Sequence, residues 1–105
     1  TSGMWSDTFL SPGIWNHLAV TYDSSIGTAK IYLNGRPDKT ITGLAGAIQQ
    51  NDNLLNIGRF GGENRDYFNG KLYDIRIYNE ALSDSQVQNL VTRSALGNVM
   101  LLLLD

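Results

Sequence analysis

The stretch FNGKLYDIRIYNEALSDSQVQNL, residues 68–90, changes its hydrophobic period part-way along. Up to Asn79 the side chains alternate. Lys71, Tyr73, Ile75 and Ile77 fall on one face; Phe68, Leu72, Asp74, Arg76 and Tyr78 fall on the other. A period of two over a run rich in Ile and Tyr is a strand signal. Beyond Leu82 the apolar residues Val87, Leu90 and Val91 recur at i, i+3 and i+4, which is helical spacing. Ser83 stands three residues before Gln86. This is a capping box, in which the hydroxyl accepts from the amide three residues on and the Gln side chain reaches back to the cap. The stretch therefore predicts a long strand over 68–79 followed by a short helix near 84–93 that stops before Gly97.

Upstream, residues 14–23 (IWNHLAVTYD) and 30–35 (KIYLNG) read as two strands joined by a short Gly-containing loop, an antiparallel hairpin. Asn34-Gly35 is a type I′ turn signal, because both residues accept positive φ. Pro37 has no N–H to give a ladder, so the segment after the turn is an edge strand or a loop. Residues 40–48 are Gly-rich and weakly patterned, a bent strand at most. Residues 53–60 (NLLNIGRF) form a further strand candidate, and GGENRDY (61–67) is the most polar loop of the chain. Downstream, GNVMLLLLD (97–105) is too short to span a bilayer, which takes about 20 apolar residues. After a glycine stop and with both faces apolar, it predicts a buried strand covered on both sides or lying at a subunit contact.

Six or seven strand candidates and one small helix in 105 residues point to one domain, an antiparallel β-sandwich or jelly roll. The net charge is −2 and the eight Lys and Arg are scattered singly, which argues against a nucleic-acid partner. With no cysteine, disulfides and thiolate-bound metals are excluded. Nothing predicts membrane insertion.

Four blocks in order, PGIWNHLAVTYD (12–23), AKIYLNGRP (29–37), NLLNIGR (53–59) and residues 68–90, resemble the later part of a laminin-G-like domain of the concanavalin A-like superfamily. The resemblance implies an all-β, antiparallel jelly-roll β-sandwich. It also implies an extracellular, secreted or cell-surface setting, and recognition of carbohydrate or glycoprotein, in some members with calcium. Such domains usually run longer, and the matched blocks belong to their C-terminal half. The single domain over 1–105 is therefore expected to be truncated, its sandwich completed by a partner segment or a second copy. The tail also resembles the opening strand of such domains.

The chemistry points the same way. Glycoside hydrolysis needs two carboxyl groups facing each other across a sugar bond. No two of the ten acidic residues are separated by two positions, as a pair on one strand face would be. Asp74 lies inside a strand beside Arg76, which reads as a structural ion pair. His17 is the only histidine, no G-x-S-x-G is present, and His17 reads as packed or cross-strand bonded. The chain is expected to be non-enzymatic, with no required cofactor. Asn64, Arg65, Asp66 and Tyr67 are the first choice for a ligand site, since planar hydrogen-bonding groups and an aromatic face suit a sugar. Tyr32, between Ile31 and Leu33, is expected on the face opposite the core and is the strand aromatic that could meet a ligand. Asp52, Asn53, Glu63 and Asp66 supply loop oxygens of the kind calcium takes. Trp5, Phe9, Trp15 and Phe68 are expected in the core.

Overall fold

The computed structural model describes residues 4–48, 52, 54–59, 67–93 and 100–104. Its elements are β1 (Leu18–Asp23), β2 (Thr28–Leu33), β3 (Arg36–Ile41), β4 (Ile75–Tyr78), α1 (Asp84–Arg93) and β5 (Met100–Leu104). The strands form one sheet of order β3-β2-β1-β5-β4. No helix among the described residues is long and apolar enough to cross a membrane.

The β2–β3 turn is built as its residues demand. Asn34 and Gly35 have φ of 52° and 83°, the paired positive values of a type I′ turn. The Asn34 side chain accepts the His17 amide at 2.8 Å, and its own amide donates to the His17 carbonyl at 2.8 Å. Gly35 lies under the helix, where an added Cβ would come within 3.1 Å of Val91. β3 is the edge strand that Pro37 foretells. Its register slips against β2: Ile31 faces Lys39 and Tyr32 faces Pro37, leaving Asp38 as an extra, unmatched residue. That carboxylate accepts the amides of Asp7 (2.7 Å) and Thr8 (3.1 Å), and Lys39 pairs with Asp7 at 3.1 Å. These bonds, from Thr8 first, hold the Asp38 carboxyl below its ordinary value. They tie the N-terminal segment to the edge strand.

The capping box forms as the spacing requires. The Ser83 amide donates to Gln86 Oε1 at 2.8 Å, and the Gln86 amide donates to Ser83 Oγ at 3.3 Å. The helix that follows buries Val87 against Ala19 and Tyr32, with Tyr78, Leu82 and Leu90 packed around them. Register places Ala19 opposite Tyr32 and Thr21 opposite Lys30 on this helix-covered face. Leu18, Val20, Tyr22, Ile31 and Leu33 take the other face, with Ile75 and Ile77 of β4. No helix or second sheet among the described residues covers that face, and every one of these side chains is half-buried or exposed.

Three expectations need correction. Residues 54–59 form no strand, and only Ile75–Tyr78 of the long 68–79 run pairs as one. Asp74, with φ 56°, breaks the extended conformation just before β4. Trp5, Phe9, Trp15 and Phe68 are exposed rather than core, because among the described residues no second layer covers them. The tail does form a strand, but a parallel one set between β1 and β4. The fold class is as expected: all-β, with antiparallel β1–β2–β3 and one short helix.

Candidate functional site

The sequence placed the ligand site on the 61–67 loop. Glu63, Asn64, Arg65 and Asp66 lie outside the described residues, as does Asn53 of the calcium set. Asp52 is described and exposed. Among the described residues no group of three His, Cys, Asp or Glu is placed to hold a metal. Tyr67 is 60% exposed and adjoins Phe68.

Tyr32 corrects the reading in the opposite sense. It is 1% exposed, because the face it shares with Ala19 is the one α1 covers. Its ring is core and cannot present a face to a ligand. Its hydroxyl donates to Asp84 Oδ1 at 2.6 Å, and Lys30 Nζ reaches the same oxygen at 3.1 Å. Burial, and then the bond to Asp84, pushes the Tyr32 phenol up to about 12. The bonds from Tyr32 and then Lys30 lower the Asp84 carboxyl. This trio clamps the first turn of the helix to β2.

Asp74, Arg76 and His17 are also committed to structure. Arg76 donates to both Asp74 oxygens, Nε to Oδ1 and Nη2 to Oδ2, each at 2.9 Å, the bidentate geometry guanidinium favours. The bonds to Asp74 raise the Arg76 pKa further. The ion pair expected from the sequence is therefore present. His17 is wholly buried, and neither ring nitrogen has a hydrogen-bond partner among the described residues. Burial first, then the charge of Arg76, lowers its pKa, with Asp74 opposing. A buried imidazole in that setting is neutral at pH 7.

Two hollows carry the exposed aromatics Trp15, Phe68 and Tyr73. A cleft of about 640 Å³ lies between residues 10–16 and 68–71 and includes Trp15, Asn16, Phe68, Asn69 and Lys71. A smaller hollow of about 260 Å³ continues from it to Leu18, Leu72 and Tyr73. Trp15 (47% exposed) meets Tyr73 edge-to-face, with ring centroids 6.4 Å apart, and Phe68 is 51% exposed. The Phe68 amide donates to the Gly58 carbonyl at 2.6 Å, which fixes where the ring starts. Gly70 makes room for it, since a Cβ there would sit 2.8 Å from the ring. Asn16 Nδ2 is held by the carbonyls of Ser11 and Ile14, both at 3.3 Å. Aromatic walls with amide groups and an ammonium at the rim can stack on an apolar ligand face while bonding its hydroxyls. Sequence reasoning missed this cleft because it assigned Trp15 and Phe68 to the core. The available signal was their position: both stand next to turn residues, Pro12-Gly13 and Asn69-Gly70, outside the paired stretches of strand.

A solved domain (residues 221–444) of an S-layer domain-containing protein from Clostridium thermocellum superposes with a TM-score of 0.67 at 26% identity. The match covers 81% of this chain and 42% of that one, so the chain spans less than half of that structure. Residues 2–88 match the family model of a laminin-G-type domain described as the concanavalin A-like lectin/glucanases superfamily. With most of its length matched, and with the hairpin, capping box and helix-backed sheet in place, the chain belongs to the laminin-G-like family of the concanavalin A-like lectin/glucanase superfamily.

Proposed function

We propose that this chain is a non-catalytic module that recognises carbohydrate, serving as an accessory or adhesion domain of a larger extracellular protein. The observation that carries the reading is the cleft walled by Trp15 and Phe68 and rimmed by Asn16, Asn69 and Lys71. A pyranose has an apolar C–H face and an equatorial belt of hydroxyls. The rings take the first by stacking and the amides take the second. Membership in a lectin-containing superfamily and the likeness to an S-layer domain-containing protein support this reading and the extracellular setting. The commitment of Asp74 to Arg76 supports a non-enzymatic role. Calcium remains part of the proposal through Asp52 and the polar loop, as an aid to binding rather than a requirement.

The test is calorimetric titration with neutral and sialylated oligosaccharides, with calcium and with chelator. Binding that Trp15→Ala and Phe68→Ala each weaken at least tenfold supports the cleft. No heat with any sugar under either condition sinks it. A second reading, a structural or protein-pairing module, rests on the apolar sheet face of Leu18, Val20, Ile31, Ile75 and Ile77. It predicts no sugar affinity and a large apolar contact.

A further inference from the structure

Every pairing that β5 makes is with a strand far away in the sequence. Leu18 to Tyr22 match Met100 to Leu104, and Ile75 to Tyr78 match Met100 to Leu103, both in parallel. β1 and β4 do not pair with each other. β5 is what makes one sheet of two parts. Without it the described strands would be a three-stranded piece, β3-β2-β1, and a lone β4, with two open edges facing each other one strand apart.

Such a slot recognises an occupant chiefly through its backbone, on both sides at once. That reads direction and length but not which molecule the strand belongs to. The walls add a demand for apolar side chains. On the helix-free face they are Leu18, Val20, Ile75 and Ile77; on the helix face they include Ala19 and Tyr78, with the Arg76 charge already taken by Asp74. The longest uninterrupted apolar run of the sequence is 99–104, the stretch that holds β5. No hairpin turn ties β5 to a neighbouring strand; six residues, 94–99, join it to α1.

We propose that the β1–β4 slot is an acceptor between molecules, taking residues 100–104 of a second copy of this chain in exchange for its own. The same ladder forms in either case. The choice then rests on concentration: a short connector holds its own strand at an effective concentration on the order of 1 mM. Reciprocal exchange gives a closed dimer, and one-way donation gives a growing chain of copies.

Two single variants of the whole chain test this. Val20→Cys carries an affinity tag, Leu102→Cys does not, and the two positions are Cα partners across the slot. They are mixed, refolded from denaturant at about 1 µM and about 1 mM, and oxidised. The expected result is a disulfide-linked heterodimer that rises at least tenfold between the two concentrations, to a sizeable fraction at the higher. The double variant, Val20→Cys with Leu102→Cys in one chain, monitors the slot itself. If it closes an internal disulfide while the mixture gives no heterodimer at either concentration, exchange is refuted. If neither linkage forms, β5 does not occupy the slot and the proposal fails at its premise. Light scattering on the unsubstituted chain, refolded in the same way, guards against a cysteine variant that does not fold. A species that stays monomeric at both concentrations overturns the proposal as well.

Discussion

Replacing Tyr32 by Phe isolates the clamp between helix and sheet. The ring stays, so no cavity opens; only the hydroxyl that reaches Asp84 at 2.6 Å is lost. A hydrogen bond to a charged group contributes about 1.5–3 kcal/mol net. The Asp84 side chain is 56% exposed, so water satisfies the carboxylate once the hydroxyl is gone, and the low end applies. The expected loss is about 1.5 kcal/mol, roughly a tenfold change in the folded-to-unfolded ratio. A second signature is specific to the phenol. Its folded pKa is about 12 against an ordinary 10, so the folded state keeps a proton that the unfolded state releases. That stability is intact below pH 10 and drains between about pH 10 and 12, at up to about 1.4 kcal/mol per pH unit. Urea unfolding followed by circular dichroism at pH 8, 10.5 and 11.5 reads both effects. The wild type should lose ground to Tyr32→Phe's level as the pH rises. A Phe variant as stable as the wild type at pH 8, or one that drains equally above pH 10, would refute the clamp.

Three further outcomes are expected. Asn34→Ala puts an alanine at φ 52° and removes the acceptor of the His17 amide, so it should cost about 2 kcal/mol by urea unfolding; Asn34→Gly should recover part of that, and equal losses would count against turn strain. His17 has a folded pKa below its ordinary 6.5, so its contribution is present above pH 6.5 and is lost as the pH falls through that value toward the folded pKa. Between pH 7 and 5 the chain should lose stability and His17→Leu should not; a Leu variant with the same slope would show that other groups are responsible. Gly70→Ala should push the Phe68 ring aside at little cost in stability, since the atoms in the way are the far end of a side chain. Sugar binding should weaken several-fold, and unchanged affinity would take Phe68 out of the site.

The parts of the fold legible in the sequence are those set by short-range chemistry. Asn34-Gly35 specified its turn because few residue pairs accept two positive φ values. Ser83 and Gln86 specified the start of the helix because their spacing closes two bonds on the backbone. Asp74 and Arg76, two apart, foretold their ion pair. Tyr32 shows where this ends. Alternation separates a strand into two faces but does not say which one a distant helix will cover. Once α1 lies on the Ala19–Tyr32 face, the assumption that Ile31 and Leu33 mark the core inverts. Trp15 and Phe68 were misread for the same reason: their bulk suggests burial, but burial needs a partner layer, and none stands over them among the described residues. The parallel setting of β5 depends on two strands more than 20 residues away from it, which no local pattern encodes.

The slip in register at Asp38 has a consequence for how the sheet meets other molecules. An unprotected edge offers a regular row of donors and acceptors on which a stray strand can be copied. Here the row is interrupted twice within two residues: Pro37 has no N–H, and Asp38 puts the spacing out of step. The same residue then spends its carboxylate on the segment at Asp7 and Thr8, which crosses beside that edge. Aggregation by templated extension is thus blocked at β3 by the residue that anchors the segment at Asp7 and Thr8. Removing Asp38 would put the spacing back in step and free the segment beside it at once, leaving Pro37 as the interruption of the row.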